Sequence, residues 1–138
     1  MAAITVNVAN LVPEKDSMAQ VGILGGTIAA GKLVYRDSTT GKWLLADWDT
    51  ADTPPVNADM AITLSGGVDD QRVGLLLIRQ GNYIDFGAVL TQRQVYVCGD
   101  AGAINPIADI GAGDYLYLLG YAETTSRLRI LGIQTGIN

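Results

Sequence analysis

GAVLTQRQVYVCGDAGAINPIAD, residues 87–109, decides the fold, because the chain contains a second version of it. The earlier version is GTIAAGKLVYRDSTTGKWLLAD, residues 26–47. Aligned at Gly26 and Gly87, Val34 meets Val95, Tyr35 meets Tyr96 and Gly41 meets Gly102, each at an offset of 61. The closing Ala-Asp pair falls at 46–47 and again at 108–109, which puts one extra residue in the later version, beside Asn105-Pro106. Each version reads as a β-hairpin. A β-rich run enters a polar, glycine-containing turn and leaves into a second apolar run. A repeat this long that occurs only twice does not describe a solenoid. It describes two similar hairpin-containing halves of one β-domain.

Outward from the hairpins the pattern stays β-like. The runs at 20–26, 60–64, 73–78, 83–86, 115–121 and 127–133 are apolar and bounded by Gly, Asn, Asp or Ser turns. Turns at this spacing, with no sustained helical periodicity, predict an all-β chain of about ten short strands, a small antiparallel β-barrel or β-sandwich. The pattern does not choose between the two. Leu128 and Ile130 are expected to share one face of the last strand, and Tyr115, Tyr117 and Tyr121 share a parity that would line one face of theirs. That tyrosine face is either a stacking surface or ordinary cross-strand packing.

The chain divides into an N-terminal segment, 1–25, and a single β-domain, 26–138. Ile4, Val6 and Val8 alternate with polar residues, the period of a half-buried strand. Leu11 follows, Val12-Pro13 breaks the run, and Glu14-Lys15-Asp16 forms a polar turn. The segment is either an arm that contacts a neighbouring subunit or an ordinary first strand. Residues 47–59, DWDTADTPPVNAD, form the longest irregular stretch and belong on the surface. Trp48 within it either folds back over the domain or docks on a partner. Ile4, Val6, Val8, Leu11 and Trp48 are therefore the candidate interface residues.

Composition narrows the chemistry. With 138 residues the chain is long enough for one well-buried domain. There is no histidine, which removes Ser-His-Asp triads, Cys-His pairs and His-ligated zinc. The net charge is −5 and the cations are scattered, so neither a nucleic-acid backbone nor an anionic membrane is an expected partner. Cys98, the only cysteine, reads as a small buried hydrophobe. No basic n-region with an apolar h-region opens the chain, and synthesis and assembly in a cytoplasm are expected.

Two motifs lose on inspection. Residues 26–32, GTIAAGK, fit a phosphate loop, but Leu33 replaces the magnesium-binding Ser or Thr and a strand follows where the mechanism needs a helix. Asp47, Asp49, Asp52 and Asp59 form an acidic patch without the spacing of a calcium loop, and read as a solvated loop. No catalytic, cofactor or metal residue is expected.

The order of these signals carries a resemblance. G-x-I-x-A-G-K-x-V-Y-x-D-S-T-x-G-K-W-x-L-A-D is followed by Gly66-Gly67, the stretch from Gln71 to Gly74, and a turn at Gly81. Then come GAVLT, VYV, AGAINPIAD, GDYL and LGYA. Over residues 26–132 this resembles the capsid cement, or head decoration, proteins of tailed bacteriophages. The resemblance implies a non-enzymatic structural virion protein without cofactors, a homotrimer. It would sit on the outer capsid surface against the major capsid protein lattice after assembly in the host bacterial cytoplasm. The alternative is a glycan- or receptor-binding β-module of the virion, such as a head-fibre base. A carboxylate-based hydrolase is a further rival. It needs two acids converging in a cleft, whereas the acids here cluster in turns.

Overall fold

The computed structural model describes residues 3–15, 18–49 and 59–137. The first strands are β1 Val12–Pro13, β2 Ala19–Ile23, β3 Leu33–Arg36, β4 Trp43–Leu45, β5 Met60–Thr63 and β6 Arg72–Leu77. They are followed by β7 Tyr83–Asp85, β8 Val95–Cys98, β9 Ile104–Pro106, β10 Tyr115–Ala122 and β11 Arg127–Ile137. No α-helix occurs among the described residues. The chain is all-β, as its turn spacing predicts.

All strand pairs are antiparallel, in a six-stranded sheet β1-β7-β11-β10-β8-β9 and a five-stranded sheet β2-β6-β5-β3-β4. With β1 set aside, the two orders are the same. In each half the first strand pairs with the fifth, the fifth with the fourth, the fourth with the second and the second with the third. The duplication visible in the hairpins thus extends to the topology of whole halves. Tyr35 pairs with Leu44, whereas Tyr96 pairs with Pro106, so the later hairpin loop absorbs the one extra residue. Gly41 and Gly102, aligned in sequence, both take positive φ, 73° and 77°. An L side chain pays a steric cost there that glycine does not.

The sheets share one core and do not close into a barrel. Leu33, Tyr35, Ile62 and Leu76 of the five-stranded sheet pack with Ile84, Tyr96, Leu119 and Leu128 of the six-stranded one. Leu128 and Ile130 both enter this core from one face of β11. The five-stranded sheet also buries its other face, around Leu24, Val34, Trp43, Ala61 and Leu75. It does so by curling until its edges touch. Leu24, just past β2, forms an isolated bridge with Trp43 on β4, and Gly25 N–H donates to Trp43 C=O at 2.8 Å.

Three expectations are corrected. β1 forms where Pro13 seemed to end the chain's first strand. It is an edge strand two residues long, where a missing N–H costs nothing. The run from Ile4 to Val8 alternates in burial, yet it is no ladder strand. Ile4 N–H donates to Ile104 C=O at 2.9 Å, and a 3-10 turn at Val8–Asn10 follows, with the Asn7 side chain accepting from Ala9 N–H. Tyr117 and Tyr121 do not share a face. An irregularity between Leu118 and Gly120 shifts the register, so Tyr121 stands opposite Val95 on the outer side while Tyr117 is buried.

Thr63, the one buried polar residue described, fastens the loop before β3. Its hydroxyl donates to Ala29 C=O at 2.8 Å and accepts from Lys32 N–H at 3.0 Å. Thr63→Val keeps the shape and strands both partners, so it should cost about 1–3 kcal/mol. Urea unfolding of the two proteins measures this; an unchanged midpoint would contradict the role given to the hydroxyl.

Candidate functional site

Two surface constellations stand out. In the first, the loop after β4 meets the turn between β8 and β9, joining the two halves. Gly102 N–H donates to Ala46 C=O at 2.7 Å, and Ala101 N–H to Asp47 Oδ2 at 3.2 Å. Trp48 Nε1–H donates to Asp100 Oδ1 at 2.7 Å, and Asp49 N–H to Asp47 Oδ1 at 3.1 Å. Carboxylate oxygens of Asp47, Asp49 and Asp100 consequently lie within 4.8 Å of one another.

Asp47 and Asp49 belong to the acidic patch read from the sequence, and Asp100 is the member that reading lacked. Asp100 arrives from the other half of the chain. A side-chain hydrogen bond that the protonated Asp49 carboxyl donates to Asp47, with lesser contributions from partial desolvation and the charges of Asp47 and Asp100, pushes the Asp49 carboxyl up to about 6. Three ionised carboxylates this close repel, and sharing a proton relieves the repulsion. Such oxygens are also the hard donors that divalent cations take, although oxygens of Asp47 and Asp100 already accept bonds from Ala101, Asp49 and Trp48. Asp59 lies on the surface apart from the trio, and Asp52 falls outside the described residues.

The second constellation is a groove of about 370 Å³ along the outer edge of β2. It is lined by Gln20, Val21, Gly22 and Ile23, by Gly41 and Trp43 from the first hairpin, and by Arg36 and Arg72. It opens where the two edges of the curled sheet diverge from the Leu24–Trp43 bridge. The Trp43 indole lies against Gly22, where a Cβ would come within 2.6 Å of Nε1. Among the described residues neither arginine has an ion-pair partner. Lys42 nearby is engaged by Asp69 and Asp70, and its hydrogen bond to Asp70 raises its pKa above the usual lysine value.

The predicted interface residues are placed as follows. Ile4, Val6 and Leu11 pack against the main core of their own chain. Val8 is half-buried in the 3-10 turn, and Trp48 is half-buried over the Asp100 turn, folded back on the domain. The large apolar side chains most exposed are others: Val12 at 60 %, Val21 at 57 % and Val68 at 56 %. Residues 1–25 therefore contribute β1, β2 and core-packing side chains to the described structure.

The remaining candidates resolve simply. Cys98 is buried, and desolvation pushes its thiol well above the ordinary range. Tyr35, Tyr96 and Tyr117 are core residues, and Tyr96 Oη accepts from Thr91 N–H at 2.7 Å. Lys32 leads directly into β3, so no helix N terminus follows the GTIAAGK sequence. No described helix is long and apolar enough to cross a membrane. No protein-family model matches the chain, and no curated protein matches it.

The Asp49 shift has a sign that can be checked. Between 3.8, the ordinary aspartate value, and about 6, the folded chain holds a proton the unfolded chain has lost. Stability should therefore fall as pH rises through that window. Asp49→Asn should melt higher than the parent above pH 6 and lose the advantage as pH drops towards 3.8. A ¹³C carboxyl titration of Asp49 should centre near 6. A midpoint at the ordinary value would dissolve the shared-proton picture.

Proposed function

We propose that this chain is a structural, non-enzymatic virion protein that binds the outer surface of a phage capsid as a homotrimer and stabilises the assembled shell. The observation that carries the reading is the ordered series of hairpin and turn signals across residues 26–132, which resembles the cement and decoration proteins. A duplicated β-fold with open sheet edges is compatible with it, since an edge can extend into a neighbour's sheet through backbone hydrogen bonds. A protein that binds the assembled lattice and not its free subunits stabilises the lattice by mass action. Partners are the major capsid protein and two further copies of the chain; nucleic acid, membrane and cofactors have no part. The working location is the capsid exterior, after assembly in the bacterial cytoplasm.

A second reading, a carboxylate-based hydrolase, is favoured by the Asp47-Asp49-Asp100 convergence and the raised Asp49 carboxyl, which provide an acid and a base side by side. Sedimentation separates the readings. The purified chain should run as a species of three copies and should co-sediment with empty capsid shells in saturable amounts. A chain that stays in the supernatant and cleaves nitrophenyl glycosides near pH 6, with Asp49→Asn inactive, would replace the cement reading with the hydrolytic one.

A further inference from the structure

The two halves share one topology but differ at one edge, and the difference points to a binding site. In the six-stranded sheet, β7 holds the place that β2 holds in the five-stranded sheet. The outer edge of β7 is covered by β1, with Val12 paired to Asp85 and Pro13 to Ile84. Glu14 extends that cover. Its N–H donates to Tyr83 C=O at 2.9 Å, and its carboxylate accepts from Tyr83 N–H at 3.2 Å. The outer edge of β2 has no such cover among the described residues. In its place is the groove between β2 and the first hairpin.

We infer that the β2 edge accepts an extended, carboxylate-bearing segment of a partner polypeptide, which adds a strand beside residues 20–23 and sets its acidic side chains against Arg36 and Arg72. Charge argues for the carboxylates. The chain carries −5 overall, yet the groove lining contains two arginines and no acid. An arginine fork that meets no carboxylate among the described residues is matched in geometry to one brought by a partner. The backbone argues for an extended segment. β2 ends its sheet, so one side of its ladder is open, and Val21 and Ile23 flank that side at 57 % and 39 % exposure. An exposed apolar edge strand is a template for strand addition. The covered edge of β7 shows the arrangement this fold accommodates, including a carboxylate beside the added strand. Any partner polypeptide that carries such a segment can occupy this edge.

The probe is a blocked hexapeptide, Thr-Asp-Val-Asp-Val-Thr, titrated into ¹⁵N-labelled protein. Amide shifts are expected at residues 20–23 together with the Trp43 indole signal. Asn in place of both Asp residues should weaken binding about tenfold or more. The double variant Arg36→Glu, Arg72→Glu should do the same. Both side chains are exposed, and an unchanged urea midpoint will show that the variant folds. Equal binding by the Asn peptide, no loss in the double variant, or shifts confined to other surfaces would each overturn the inference. So would shifts at residues 20–23 that grow with protein concentration alone, since the occupant would then be a second copy of the chain.

Discussion

The seam between the two sheets is the constraint from which the rest of the molecule follows. Leu33, Tyr35, Ile62 and Leu76 from one half and Ile84, Tyr96, Leu119 and Leu128 from the other are buried against each other. Each such side chain contributes about 1.5–3 kcal/mol on leaving water, far more than an exposed ion pair such as Lys42–Asp70 can add. Tyr35 and Tyr96, aligned in sequence, both lie in this seam, so the duplicated hairpins turn equivalent faces inward. Their glycine turns, Gly41 and Gly102, are then carried to the rim.

At the rim the halves stop being equivalent. The Gly102 turn is folded onto the first half through Ala46 and Asp47, which draws Asp100 into the company of Asp47 and Asp49. The Gly41 turn instead stands beside the β2 groove. The same hairpin is thus an internal clasp in one half and one wall of an open edge in the other. What distinguishes them is local: one extra residue in the later loop, and a second buried face in the earlier sheet. That second face consumes Trp43, which otherwise would stand outside.

Much of the fold was legible in the sequence because β-rich runs bounded by turn residues mark strands locally. Val95–Cys98 and Trp43–Leu45 are strands at the expected residues. What escaped needed information from elsewhere in the chain. β1 escaped because proline normally ends a ladder, and only its place at an edge permits it. The Tyr121 face escaped because a single irregularity in β10 reverses every later side chain. The acidic trio escaped because Asp100 and Asp47 meet only after the halves dock. Ile4, Val6 and Leu11 were legible as apolar and periodic, but sequence could not say whose surface they cover. In the structure it is their own domain.

The strand order also sets which contacts span the greatest lengths of chain. In each half the first strand lies beside the last, β2 against β6 and β7 against β11, while β1 waits for β7 and Ile4 waits for Ile104. A chain emerging from its N terminus can settle its middle hairpins early, since they close short loops. Its opening residues take their backbone partners from the second half of the chain, although Val6 also lies against Gly31. The segment from Ile4 to Pro13 is thus tied by its backbone to residues far along the chain, Ile104 and Ile84–Asp85, and those pairings close some of the longest loops in the molecule.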